Sequence, residues 1–513
     1  MDTWGSHAPE VSTGLSFTRK GNLMNRKVCV LGLDCAEPNL VFHLWPTDLP
    51  NLNRIMSAGI YGPIESTIPP ITVPAWMCMM TGKDPGTLGI YGFRNRRDHS
   101  YGGLAFANSS MVREPAVWDV LAQSGKRSIL LGIPLTYPPR PVNGLLISGF
   151  LAPDTSSNFT YPPDLRTELL QVAPNYMLDV RNFRTEDKQW LLDQIYQMTR
   201  ERFRVAKHLL TTKPWDFFAM VEMGPDRIHH GFWRYFDHEH PLYEAGNPYE
   251  HVIHDYYVAL DGMIGELLDL LPDETMLIVV SDHGAKRMIG GICVNEWLMQ
   301  EGYLVLKEVP REPTKFDPQM VDWHHTKAWG DGGYYGRIFL NIEGREPNGT
   351  VRQEDYEALR EELAARLESL PDEYGNPIGT RVFFPERIYS TVKNVPPDLI
   401  VYFGDLNWRS VGSVGHGTVW IHENDTGPDD ANHAQYGICL VAGVDAIKSG
   451  ATGGIYREGL SIYDIAPTIL GAFGVTPPPG MGRTPLDLPQ AISAYTPEEE
   501  AEIARRLEDL GYL

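Results

Sequence analysis

Val28-Cys29-Val30-Leu31-Gly32-Leu33-Asp34 decides how the rest of the chain is read. An unbroken apolar run, with no polar alternation, fits a strand buried on both faces, as in a parallel sheet flanked by helices. An acid at the C-terminal end of such a strand lies where open α/β sheets place their chemistry. The pattern recurs twice. Asp216-Phe217-Phe218-Ala219-Met220-Val221 runs into Gly224-Pro225-Asp226-Arg227-Ile228-His229-His230, and Met276-Leu277-Ile278-Val279-Val280 ends in Ser281-Asp282-His283-Gly284. Three apolar strands that each deliver an aspartate predict an α/β fold with a mostly parallel central sheet.

Downstream of the first strand, Ile68-Pro69-Pro70 leads into Ile71-Thr72-Val73-Pro74-Ala75-Trp76, and the apolar run 75–80 stops at Thr81-Gly82. The stretch reads as a short helix, with the Thr72 hydroxyl at the N-cap, proline in the first turn and glycine just past the end. A hydroxyl there sits where unpaired N–H groups and the helix dipole attract an anion such as phosphate. Thr72 is therefore read as a nucleophile, against the ordinary alternative of a structural cap.

Asp34, Asp226, His230, Asp282 and His283 are oxygen and nitrogen donors on strand ends or the loops that follow. That donor set suits zinc or manganese better than calcium. Asp226 and His230 are four apart and share one face of a helical turn. A loop can direct the adjacent Asp282 and His283 at one ion. Each alone also reads as a surface acid, a helix cap or a core histidine; jointly they indicate a dinuclear site.

The remaining features bound the setting. The 513 residues are 42% hydrophobic and 21% charged, an ordinary globular balance. A formal net charge of −22 argues against a nucleic-acid duplex or an anionic membrane as partner. An anionic substrate then needs local positive charge, which bound metal ions supply. Five scattered cysteines without Cys-x-x-Cys spacing read as free thiols in a reducing compartment. Residues 1–25 are polar, lack the apolar core of a secretory signal and read as a flexible leader. No apolar run approaches the ~20 residues that span a bilayer. The expectation is a soluble, cytoplasmic protein. Residues 26–292 and 411–490 read as the core, 293–410 as an inserted α+β cap subdomain, and 491–513 as a solvated C-terminal helix.

The set Asp34, Thr72, Asp226-x-x-x-His230 and Asp282-His283 resembles the metal and nucleophile signature of the alkaline phosphatase superfamily, and more closely its type I phosphodiesterase/nucleotide pyrophosphatase branch. Thr72 through Gly86 to Gly89-Ile90-Tyr91-Gly92-Phe93 is similar to the family's nucleophile block. Asn295-Glu296-Trp297-Leu298, Gly344-Arg345-Glu346-Pro347 and Asp464-Ile465-Ala466-Pro467-Thr468 are similar to further family segments, and the likeness spans residues 27–485. It implies an alkaline-phosphatase-like three-layer sandwich with two divalent metal ions, zinc or alternatively manganese. One ion would be held by Asp34, Asp282, His283 and the Thr72 oxygen. The other would be held by Asp226, His230 and a late histidine, His433 in preference to His416. His229 then sits behind the ligands, and His324 and His325 belong to insertion loops.

The resemblance also implies cleavage of a phosphodiester or pyrophosphate bond through a phosphothreonine intermediate. The substrate would be a small phosphorylated molecule: a nucleotide, a lipid headgroup or a sugar phosphate. A sulfatase would need a cysteine or serine that matures to formylglycine, which Thr72 cannot do, and Trp76 stands where its arginine would be. A metal-dependent phosphoglycerate mutase generally uses serine and a different phosphate-binding domain. A phosphomonoesterase stays open, because Arg94, Arg227, Lys286 and Arg287 lie near the site segments in sequence. A non-catalytic metal- or partner-binding protein on the same fold is disfavoured, since every ligand and the nucleophile are present. Trp76, Trp233 and Trp329 read either as core or as a stacking surface for a base. The oligomeric state stays open.

Overall fold

Burial follows the apolar runs in a computed structural model of the chain, described over residues 26–483, 485, 486 and 505. β1 (Lys27–Leu33) is the fifth strand in from either edge of the main sheet and is buried from Val28 onward. The sheet is completed by β2 (Ile60–Glu65), β3 (Ser128–Leu131), β4 (Gly144–Ile147), β5 (Thr160–Tyr161), β6 (Phe217–Glu222), β7 (Thr275–Val280), β8 (Tyr436–Gly443), β9 (Ile455–Tyr456) and β10 (Leu460–Ser461). Its order is β9-β2-β8-β7-β1-β6-β3-β4-β5, with β10 also pairing with β2. Only β8 and β5 run antiparallel to their neighbours. β1 lies parallel between β6 and β7, with Gly32 opposite both Val221 and Val280. The three strands that carry aspartates are thus adjacent and end on one edge, which is what brings distant residues together.

The helices that carry or flank the candidate site residues fall into two groups. α1 (Thr72–Thr81) packs with the helix Ile465–Ala472. α2 (Lys188–Thr212), α3 (Gly224–Phe236) and α4 (Val252–Leu270) pack on one another. α2 is capped at its start, with the Asp187 carboxylate accepting from the Trp190 N–H at 3.1 Å. α1 starts one residue earlier than its sequence implies. Ile71 is the N-cap and makes no side-chain cap bond, so Thr72 is the first helical residue. Its hydroxyl is not spent on capping and points elsewhere. Gly82, in the left-handed region at φ 63°, ends the helix as expected.

A second hydrophobic cluster, separate from that of the main sheet, includes Ile292, Ile338, Leu340, Leu363, Leu367, Leu399, Val401 and Val419. It is formed around a four-stranded antiparallel sheet in the order Ala328–Asp331, Gly336–Leu340, Leu399–Tyr402, Arg381–Phe383, against the helix Tyr356–Glu368. These smaller sheets fit an inserted subdomain. All five cysteines are buried and free. Among the described residues no helix is long and apolar enough to cross a membrane. The expected leader 1–25 lies outside the described residues, as does the C-terminal helix 491–513 apart from Arg505.

Candidate metal centre and nucleophile

The C-terminal ends of β1 and β7 place Asp34 and Asp282 together, both fully buried. The Asp34 backbone N–H is held by the Glu222 carbonyl of β6 at 2.9 Å, so the strand ends fix its position. Its Oδ2 accepts from the Trp76 indole N–H at 2.6 Å. Trp76 reaches it because β1 carries glycine at 32: a Cβ there would run into the indole ring and lie 2.9 Å from the Met220 carbonyl. Asp282 Oδ1 accepts from the Cys35 backbone N–H at 3.3 Å, Cys35 itself being left-handed at φ 64°.

His283 Nδ1 donates to the Gly284 carbonyl at 3.1 Å. Its Nε2 therefore carries a lone pair, 3.2 Å from Asp282 Oδ2 and 3.8 Å from Asp34 Oδ1. The Thr72 hydroxyl donates to the same Nε2 at 3.2 Å. Burial lowers the His283 imidazole to about 4, so it is neutral and available as a donor. Burial, with Asp282 and Asp226 nearby, pushes the Asp34 carboxyl well above the usual range, and Asp282 shifts the same way.

The other half of the site starts on α3. Asp226 and His230 are one turn apart, with His230 Nε2 3.3 Å from Asp226 Oδ1. His433 Nδ1 donates to the Pro70 carbonyl at 2.8 Å, leaving Nε2 3.7 Å from the same Asp226 oxygen. The His433 and His283 rings stack at 3.8 Å, so the two halves touch. Burial alone would raise Asp226, but His230 and Arg227 hold its carboxyl well below the usual range. Burial alone would lower His230, yet Asp429 and Asp226 keep it at about 9.

Three carboxylate oxygens, Asp34 Oδ1, Asp226 Oδ1 and Asp282 Oδ2, are buried without a hydrogen-bond partner. Donor atoms of Asp34, Asp282 and His283 lie within 4.8 Å of one another, as do those of Asp226, His283 and His433. Unpartnered buried carboxylates cost several kcal/mol each unless a cation meets them. With imidazole nitrogens beside them they form a donor set of zinc or manganese type. His283 belongs to both groups and His230 to neither, although its Nε2 is 3.3 Å from Asp226 Oδ1; the residues present fit divalent-metal ligation.

Several residues raised by the sequence go elsewhere. His416 bonds to Ser413 at 2.9 Å and is not in either donor group, whereas His433 is. His229 faces the Tyr257 hydroxyl at 3.3 Å, and His325 pairs with Asp322 on the surface. Lys286 is taken by Asp405, and Arg287 by Asp237 and Glu239. Arg227 grips Asp179 through two nitrogens and Asp226 through the third. Sequence neighbours thus diverge in space, and of the four cations only Arg227 touches a candidate ligand among the contacts observed. Trp76, Trp233 and Trp329 are buried, which makes them core rather than a stacking surface.

Sequence reasoning missed Asp429, Arg184 and Tyr334. Asp429 Oδ1 accepts from His230 Nδ1 at 2.7 Å. Arg184 and Tyr334 both donate to its Oδ2, at 2.9 Å and 3.0 Å. The available signal was an acid four residues before the favoured late histidine.

The model of the type I phosphodiesterase/nucleotide pyrophosphatase family matches residues 28–429. No curated protein matches the sequence. Human ectonucleotide pyrophosphatase/phosphodiesterase 5 superposes with a TM-score of 0.51 at 14% identity, over 89% of this chain and 97% of that one. An inactive threonine-to-alanine variant of the murine protein, in complex with AMP, gives 0.51 at 13% over 89% and 97%. Phosphonoacetate hydrolase from Sinorhizobium meliloti 1021, in complex with phosphonoacetate, gives 0.54 at 16% over 88% and 96%. The structural likenesses carry the fold. The family match covers most of the chain, and the protein belongs to the type I phosphodiesterase/nucleotide pyrophosphatase family, hydrolases of the alkaline phosphatase superfamily.

Proposed function

We propose that the protein is a two-metal phosphodiesterase in which Thr72 is the nucleophile. The observation that carries this reading is that three carboxylates with unpartnered buried oxygens gather around His283, whose Nε2 accepts from a buried threonine hydroxyl that is free of capping duty. One divalent ion would be held by Asp34, Asp282, His283 and Thr72, the other by Asp226, His230 and His433. When bound, the ions would lower the pKa of the Thr72 hydroxyl and offset charge on the entering and leaving oxygens.

The Thr72 hydroxyl gives up its proton to solvent and Oγ1 attacks phosphorus; the threonine–phosphorus bond forms as the P–O bond to the leaving group breaks, and the leaving oxygen departs with that electron pair and takes a proton from water. Water then attacks the phosphothreonine, breaks the Oγ1–P bond and restores the hydroxyl. α1 and the β1 and β7 ends hold Thr72, Asp34 and Asp282 in fixed relation, so placement contributes much of the acceleration.

Charge favours a diester over a monoester. Asp34, Asp179, Asp226, Asp282 and Asp429 are offset by Arg184 and Arg227. The arginines that touch these carboxylates are thereby committed, which leaves the two ions to meet the single charge of a diester rather than the double charge of a monoester. The buried, unpaired cysteines support a reducing, cytoplasmic setting.

The test is turnover of a chromogenic phosphodiester and its monoester on zinc- or manganese-loaded protein. Faster diester cleavage, lost both on chelation and in Thr72→Ala, is expected. Full turnover in that variant, or indifference to chelator, overturns the reading. The AMP complex of the murine protein and the phosphonoacetate complex of the bacterial enzyme make nucleotide diesters and phosphonates the first substrates to screen.

A further inference from the structure

Four segments far apart in the chain meet at Asp429. His230 belongs to α3, Arg184 lies just before α2, Tyr334 sits between two strands of the smaller antiparallel sheet, and Asp429 precedes the strand Ala431–Ala434. The Asp429 side chain is 0% exposed. Arg184 Nη2 also donates to the Tyr334 hydroxyl at 2.7 Å, so the two donors on Asp429 Oδ2 are tied to each other. The Tyr334 ring lies over His433 at 4.4 Å and over His230 at 4.9 Å.

An imidazole offers its Nε2 lone pair to a cation only when its proton is on Nδ1. An acceptor on Nδ1 fixes that tautomer and the ring rotation, and a charged acceptor also makes Nε2 a stronger donor. His283 and His433 use the carbonyls of Gly284 and Pro70 for this purpose. Of the three candidate imidazole ligands, His230 alone is oriented by a carboxylate. That carboxylate is held from its far side by Arg184 and Tyr334.

We propose that Asp429 is the positioning residue for the second divalent ion, at Asp226, His230 and His433, and that Tyr334 and Arg184 tune that ion's affinity by holding Asp429 in place. The inference rests on the two-metal reading above. It implies that the segment carrying Tyr334 takes part in building the metal centre, and that the ion at Asp34, Asp282 and His283 is indifferent to Asp429.

The test is zinc stoichiometry and affinity of the full chain, read by elemental analysis and by competition with a chromogenic chelator. The wild type is expected to bind two zinc ions. Asp429→Ala is expected to keep one at unchanged affinity and to weaken the other by about 10–100-fold. Arg184 is 27% exposed, and Arg184→Gln is the milder variant. It should weaken the same ion by about fivefold, because the shorter amide keeps only part of the Arg184 bonding to Asp429 and Tyr334. Two ions retained at wild-type affinity in both variants overturns the inference, and so does equal weakening of both ions, which marks a general loss of structure. A wild-type chain that binds fewer than two ions overturns the two-metal reading and this inference with it.

Discussion

The two halves of the site are built in different ways. The half around Thr72 hangs on the buried ends of β1 and β7, and its hydrogen-bond partners, Trp76, Cys35 and Gly284, are close to it in the chain or on an adjacent strand. The half around His230 starts on α3 but depends on Asp429, Tyr334, Arg184 and the Pro70 carbonyl, each from a separate segment. One half is therefore fixed by sheet register, and the other has its ligands on α3 and the strand Ala431–Ala434 and is oriented by groups from loops. Sheet register is costly to change, whereas loop contacts are tunable in small steps.

The largest expected effect tests the register-built half. Asp34→Asn should cut diester turnover by about 1,000-fold and release the ion nearest Thr72 while the other stays. Loss of both ions together would break the distinction between the halves.

Next comes the pH dependence of the metal-free protein. His230 is raised from 6.5 to about 9, so the folded state holds its proton after the unfolded state has lost it. That contribution to stability is fully present below pH 6.5 and is lost as pH rises through 9. Urea midpoints of the metal-free chain should fall over this range, and loading with zinc, which takes the place of the proton, should flatten the fall. A flat profile without metal would contradict the geometry at His230.

Gly32→Ala probes the packing beneath Asp34 and should destabilise the fold by about 1–3 kcal/mol in urea unfolding, because the indole and the Met220 carbonyl leave no room for a methyl group. An unchanged midpoint would mean that Trp76 is free to move. The smallest effect belongs to Tyr334→Phe, which keeps the ring over His230 and His433 and loses the hydroxyl that donates to Asp429 and accepts from Arg184. It should cost about 1 kcal/mol in affinity for the second ion and leave the first untouched.

The same division separates what was legible in the sequence from what was not. Val28 to Asp34, Phe217 to Val221 and Met276 to Val280 announce themselves because burial on both faces demands unbroken apolar runs. Asp34, Asp226 and Asp282 follow from their places on those runs. Thr72 was legible as the start of a helix, but its step from the N-cap to the first helical position was not, since one residue at a helix end is set by backbone angles that composition does not reveal. Asp429 was hidden in a polar loop with ordinary composition, and Tyr334 among loop residues that resemble any surface turn. Arg287 and Lys286 misled for the converse reason. They follow His283 closely, but the strand Gly284–Arg287 carries them away to Asp237, Glu239 and Asp405.

The pairing of Gly32 with Trp76 has an evolutionary consequence. Because the indole fills the space above the glycine and turns Asp34 by its N–H, neither residue can drift alone: a larger side chain at 32 evicts the indole, and a smaller one at 76 opens a hole and releases the aspartate. The two positions form a lock with two keys, and sequence change must turn both at once or neither. A relative that carries another side chain at the position of Gly32 will carry a different solution at that of Trp76, and its metal-facing aspartate will be steered by some other donor.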